Sequence, residues 1–341
     1  MKGSSIVQVA VLLIIMLCSI PPFFVIESII IPRRFVGYEM LIKAEEHSEY
    51  INVVGSGKDE TGVYIKLENP IENDYPIGSE VRLSDAEYYS EIKGSLDDFK
   101  AMGFNVKHFT YPYNANDEVA RELVSEYYYS GRASGGVNGY EEGVNLPHEP
   151  LKTYALYSVG IDRASEEKIE SILNETVREK ALSIVYFHSD RTTERRIKYL
   201  IDTAMEKEID ILTRSEAFNR FVDSENNFPD PALVIEYDDS PGTDYTLAFY
   251  VHQYMQDKYG EKIPGNIAAV SGRFSETRDD RAFYGFWNSD RVLTKEQMQE
   301  MVDDGWEVVS HSRSHAYLKS VLSTNERVNT NDDKIYVARS F

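Results

Sequence analysis

Two short stretches hold the residue types from which a hydrolytic metal centre is built. "EYDD" ends on the adjacent carboxylates Asp238 and Asp239, and "HSRSH" sets His311 and His315 four residues apart. One carboxylate oxygen and two imidazole nitrogens leave coordination positions open for water, as a catalytic Zn²⁺ or similar divalent ion requires. Neighbouring carboxylates can divide the work, one binding the cation and the other taking a proton. Each stretch also has a plain structural reading: "DDSPG" suits a turn or helix cap, and an aromatic-rich core can use a histidine pair for packing.

The elements around these residues favour the chemical reading. Strands "ALVIEY" and "WEVVS" end just before the two stretches, and parallel α/β folds carry their functional groups at the carboxyl ends of strands. If the chain turns helical after "WEVVS", the four-residue spacing puts both imidazoles on one face. From about residue 86 helical and strand patterns alternate, for example "AEYYSEIKGSLDDFKAMG", "NVKHFTYP", "SEEKIESILNETVREK" and "ALSIVYF". The polar, proline-containing "SENNFPDP" (224–231) interrupts the alternation once, and no internal repeat relates its two sides. Residues 36–83 read instead as short strands with turns between them, and "DDKIYVARSF" (332–341) as one more strand with no neighbour in sequence.

Composition narrows the partners. Among 341 residues, 57 acidic against 36 basic side chains give a net charge of -21, which repels a phosphate backbone and argues against nucleic acid. The single cysteine, Cys18, lies in an apolar N-terminal stretch, so any metal must be held by His, Asp or Glu. Gly3 to Ile26 carries no charge and is long enough to cross a bilayer, which predicts an uncleaved signal anchor or, alternatively, a cleaved signal peptide. Either way the bulk of the chain is expected outside the cytoplasm.

Taken together, "EYDDSP" and, about seventy residues later, "HSRSH" resemble the first two motifs of the NodB-type polysaccharide deacetylases, carbohydrate esterase family four. That resemblance implies an α/β fold, an irregular (β/α) barrel. It makes Asp238 the general base and Asp239, His311 and His315 the ligands of a divalent metal, with Zn²⁺ the first candidate. "FTYPYN" (109–114) resembles the third motif, in which the backbone N–H of Tyr113 would face the oxyanion. "ALSIVYFHSD" (181–190) resembles the last, whose histidine, here His188, protonates the leaving amine. Because these later motifs precede the first two, the order reads as a circular permutation, with the family's second half at 86–222 and its first half at 231–325.

The implied layout is a membrane anchor or signal segment (1–34), a small all-β unit (35–85) joined by strand 332–341, and a deacetylase-like barrel (86–331). Two positions depart from the family pattern. Thr110 stands where an arginine often pairs with the catalytic aspartate, a role for which Arg132 is the candidate replacement, and Ser240 stands where a glycine follows the aspartate pair. The implied activity is metal-dependent hydrolysis of the N-acetyl amide of an amino-sugar polymer by a monomer whose partners are an N-acetylated glycan and, through its N-terminal segment, a membrane. A silent glycan-binding relative and half-domains completed by another chain are the alternatives. Tyrosine-rich "EYYYSG" and "AFYGFW" suit either sugar stacking or core packing, and His47, His108, His148 and His252 read as structural or surface residues.

Overall fold

The computed structural model describes residues 33–133, 144–145, 152–222, 230–283, 292–324, 327–328 and 332–339. Outside them lie nearly all of the expected membrane segment, most of "SENNFPDP", "YGFW" and His148. Among the described residues no helix is long and apolar enough to cross a membrane. The described residues form two compact units, one of those up to Ser84 together with those from Ser320 onward, the other of those within Asp85–Lys319.

In the first unit the strands are β1 (Glu39–Lys43), β2 (Ser48–Lys58), β3 (Val63–Leu67), β4 (Tyr75–Pro76) and β5 (Glu80–Leu83). The second unit begins with α1 (Asp85–Tyr89), a π-helical turn (Ser90–Gly94) and α2 (Ser95–Met102), which Gly103 ends at φ 93°. Next come β6 (His108–Thr110), α3 (Glu118–Tyr127), β7 (Ser130–Arg132), β8 (Val144–Asn145), β9 (Val159–Gly160), α4 (Glu166–Glu179) and β10 (Leu182–Phe187). Then follow α5 (Glu194–Glu206), β11 (Asp210–Ile211), α6 (Arg214–Val222) and β12 (Ala232–Asp238). A second π-helical turn (Asp244–Phe249) leads into α7 (Tyr250–Tyr259), then β13 (Asn266–Ala269), α8 (Lys295–Asp303) and β14 (Glu307–Ser310). The chain returns to the first unit with β15 (Val321–Ser323), β16 (Arg327–Val328) and β17 (Lys334–Arg339). Helix starts are chemically marked: Asp117, Ser165 and Thr193 accept backbone N–H bonds at α3, α4 and α5, and Thr294 with Gln297 forms a capping box at α8.

The first unit is a closed barrel in the order β1-β2-β3-β17-β15-β5. Alternating residues such as Met40, Ile42, Ile51, Val53, Ile65 and Val81 are buried. β15 and β16 belong here as well, although the sequence pattern assigns them to the larger unit, because β15 pairs with both β5 and β17 and β16 with β4.

The second unit is mixed α/β. Its sheet runs β7-β6-β14-β13-β12-β10-β8, with β11 beside β12 and β9 beside β10. All pairs except β10–β8 are parallel. The sheet curls but does not close strand to strand as a complete (β/α) ring would. Residues 153–160 link its edges instead, bonding to β7 through the Arg132–Leu156 bridge and to β10 through β9. The pairings there are two residues or fewer, too short to make regular strands.

Candidate metal centre

Every residue of β12 is buried, and its period of two assigns the faces. Tyr237 stacks on Phe187 and Trp306 on one side. On the other, Ala232 and Val234 pack with Leu182, Ile184 and Leu156, so Glu236 and Asp238 extend that face toward the carboxyl end of the sheet. Arg132 ends β7, Thr110 ends β6, His188 follows β10 and His311 follows β14, so side chains from distant parts of the sequence meet at one end of parallel strands.

Asp239, His311 and His315 come together there. Asp239 Oδ1 lies 2.8 Å from His315 Nε2 and 3.5 Å from His311 Nε2, and the two Nε2 atoms are 3.2 Å apart. Donor atoms about 2.0–2.1 Å from a tetrahedral Zn²⁺ are about 3.4 Å from one another, so these spacings suit a shared cation. The hydrogen-bond pattern agrees. Asp239 Oδ1 is buried yet accepts no hydrogen bond, even with an imidazole nitrogen this close. His311 Nδ1 donates to the Thr110 carbonyl at 2.8 Å, which leaves the neutral ring a lone pair on Nε2, and His315 Nδ1 meets the Tyr113 hydroxyl at 2.9 Å. Burial, against the pull of Asp239, brings the His315 pKa down to about 4, so this ring offers a lone pair at neutral pH. Burial also opposes charge on Asp239, but His315, His311 and Arg273 hold its carboxyl well below the usual range. One carboxylate oxygen and two imidazole nitrogens fit a borderline divalent ion such as Zn²⁺.

Arg132 reaches Asp238: its Nη2 donates to both carboxylate oxygens, at 2.7 and 2.6 Å. Its Nε lies 2.8 Å from Glu236 Oε2, its guanidinium sits 4.4 Å from the Tyr186 ring centroid, and Arg214 pairs with the other Glu236 oxygen. Two buried cations are thus matched by two buried anions. Thr110 donates to Glu236 instead of occupying the arginine position.

His188 stands on the other side, its Nε2 3.8 Å from Asp239 Oδ2. Asp162 fixes it doubly, accepting from the His188 backbone N–H at 2.6 Å and from Nδ1 at 2.8 Å. Burial disfavours the imidazolium, but the Asp162 bond and the charges of Asp239, Asp238 and Asp162 prevail and raise its pKa to about 9.

One expectation is corrected. Residues 311–315 are not helical, since Ser312 and His315 both have φ 63°. The N–H groups that would begin a helix go elsewhere: His311 to Ala269, Arg313 to the Glu91 carbonyl, Ser314 to Glu91 Oε2, and His315 to Ser312 Oγ. The imidazoles converge through a turn, and the four-residue spacing is not that of a helix face. Tyr113, at φ 58°, also acts through its hydroxyl, a contact that the motif reading does not contain.

Glu236, Asp162, Glu91 and Arg273 escape the sequence reading. Glu236 carries a usable signal, a charge inside an apolar strand two residues before Asp238. Glu91 carries none, lying among many acids of an amphipathic helix. His108 and His252 are buried with both ring nitrogens hydrogen-bonded.

No family model matches the chain, and no curated protein does. Among solved structures, the chain is similar to IcaB from Ammonifex degensii, with 20% identity over 38% of this chain and 52% of that one, at a TM-score of 0.30. It is also similar to 2,3-dimethylmalate lyase, a member of the PEP mutase/isocitrate lyase superfamily, with 10% identity over 64% and 80% of the two chains, at a TM-score of 0.29. The matched part spans about half the length of the former. At such TM-scores neither similarity bears on activity, and the functional reading rests on the side chains.

Proposed function

We propose that the larger unit is a metal-dependent amidase of the NodB polysaccharide-deacetylase type, removing acetyl groups from an N-acetylated amino-sugar polymer. The observation that carries this reading is the convergence of Asp239, His311 and His315 without mutual saturation, between an arginine-held aspartate and an aspartate-held histidine.

Asp239, His311 and His315 would hold the ion, which when bound supplies Lewis acidity toward a water and an amide carbonyl. Asp238, fixed by Arg132, takes the proton of the attacking water. His188, kept protonated by Asp162, delivers a proton to the nitrogen as the C–N bond breaks. Water is consumed, and a free amino sugar and acetate result.

The sheet supports the permuted order. β10, β12, β13 and β14 are neighbours in chain order, and β14 then pairs with β6, which comes earlier in the chain, at Ser310–Phe109. That pairing sets the last strand of the later segment beside the first strand of the earlier one, the juxtaposition that a permuted order requires. On the same reading, the apolar N-terminal segment holds the enzyme at a membrane.

The test is acetate release from a poly-N-acetylglucosamine oligomer by the full chain, abolished by chelation and restored by Zn²⁺. A metal-loaded protein that binds the oligomer but releases no acetate would overturn the hydrolytic reading in favour of a glycan-binding relative.

A further inference from the structure

Four residues in left-handed backbone conformations belong to the two loops that carry the metal ligands: Asp239 (φ 78°), Ser240 (φ 53°), Ser312 and His315 (both φ 63°). Such conformations are strained for residues other than glycine and persist only where the surroundings impose them. One short segment after β13, Val270 with the 3₁₀ turn Ser271–Arg273, bonds to both loops. Toward the aspartate loop, Val270 N–H donates to Ser240 Oγ at 3.0 Å and Arg273 Nη1 donates to the Asp239 carbonyl. Toward the histidine loop, Ser271 N–H donates to the Ser312 carbonyl at 3.2 Å and Gly272 N–H to the Arg313 carbonyl at 2.7 Å. The second approach needs a glycine, because a Cβ at position 272 would stand 2.6 Å from the Arg313 carbonyl oxygen and 2.8 Å from Asp279 Cβ.

We infer that residues 270–273 are a brace that sets the distance between Asp239 and the two imidazoles, with Gly272 and Arg273 as positioning residues for the cation. The inference rests on the metal-centre reading above. The ligand donors come from loops after β12 and β14, strands separated in the sheet by β13, and the brace is the continuation of that intervening strand. It spans the gap by backbone bonds on one side and by a buried guanidinium on the other. Neither Gly272 nor Arg273 is needed as a ligand, so their effect falls on affinity and coordination geometry.

Zn²⁺ titration by calorimetry and the visible spectrum of the Co²⁺-loaded full chain test this. Gly272→Ala and Arg273→Gln should each weaken Zn²⁺ binding on the order of 10–100-fold and shift the Co²⁺ bands, as loss of an outer partner does. Arg273→Lys, which keeps one donor for the Asp239 carbonyl, should recover part of both. Gly103→Ala, at φ 93° with nothing near its added Cβ, strains the same unit away from the site and should move neither reading. If Gly272→Ala does not fold, Arg273→Gln decides. Wild-type affinity and an unshifted spectrum in the position-272 and position-273 variants overturn the brace alone. A wild-type chain that takes up no Zn²⁺ overturns the metal centre and the brace with it.

Discussion

The sheet of the larger unit carries a buried histidine–carboxylate cluster at each end. At the end where its parallel strands begin, His108 Nδ1 meets Ser130 Oγ at 2.9 Å and Nε2 meets Ser215 Oγ at 3.1 Å. Ser215 gives both its N–H and its hydroxyl to Glu307, while Asn266 accepts from the Arg214 N–H and donates to the Ile235 carbonyl. His108, Ser130, Ser215 and Asn266 all find protein partners there, Arg214 Nη2 alone of this group being left without one, and burial, then Arg214 and Lys107, keeps His108 neutral. At the other end Asp239 Oδ1 accepts no hydrogen bond, two imidazole nitrogens face each other, and the backbone is strained. Among the described residues, six of the eight non-glycine positions with positive φ lie in the loops of this end. A saturated cluster stabilises the fold by itself; an unsaturated, strained one gains from a ligand.

The sharpest way to break this contrast is to disable each end separately. Asp239→Asn should lower Zn²⁺ affinity by more than the about 100-fold typical of an outer partner, and should abolish acetate release while leaving the fold intact. His108→Ala should do the reverse, costing about 2–4 kcal/mol in urea unfolding through two lost hydrogen bonds and a cavity, with Zn²⁺ affinity unchanged. If His108→Ala weakened metal binding and Asp239→Asn did not, the assignment of the two ends would be reversed.

The same contrast explains what was legible in the sequence. A saturated or ligating role depends on partners, and partners are set by strand order more than by local pattern. The strand before Asp238 could be read because seven consecutive residues are buried there, and the histidine pair because its residue types are rare. The helical reading of 311–315 failed since helix propensity is local, whereas Glu91, more than two hundred residues away, takes the N–H groups of that turn. Asp162 was invisible because its pairing with His188 exists only once residues 153–160 cross to β10. Arg132 was found only as a substitute for an arginine missing at Thr110. Nothing in "GRASGG" specifies that its side chain meets Asp238.

A smaller effect sharpens the electrostatic side. In the metal-free chain the His188 imidazole should titrate near 9 by NMR, and Asp162→Asn should lower that midpoint by about 1–2 pH units. The folded value lies above the ordinary 6.5, so this group's stabilisation is complete below pH 6.5 and disappears as pH rises through about 9. A cation on Asp239 offsets one of the charges that raise it, so the midpoint should fall on Zn²⁺ loading. A midpoint that ignores both Asp162→Asn and Zn²⁺ would remove His188 from the site.

The smallest effect concerns Ser240, where strain and hydrogen bonding pull in opposite directions. Its left-handed conformation costs a non-glycine residue roughly 1–2 kcal/mol, which glycine would avoid. Its hydroxyl, however, accepts the buried Val270 N–H, and stranding that donor costs about 1–3 kcal/mol. Ser240→Gly therefore exchanges one term for the other and should change unfolding free energy by about 1 kcal/mol or less. Ser240→Ala loses the acceptor and keeps the strain, so it should be the less stable variant by about 1–2 kcal/mol. Equal stability of the two variants would mean that this turn stores no strain, and the contrast between the two ends would then rest on hydrogen-bond saturation alone.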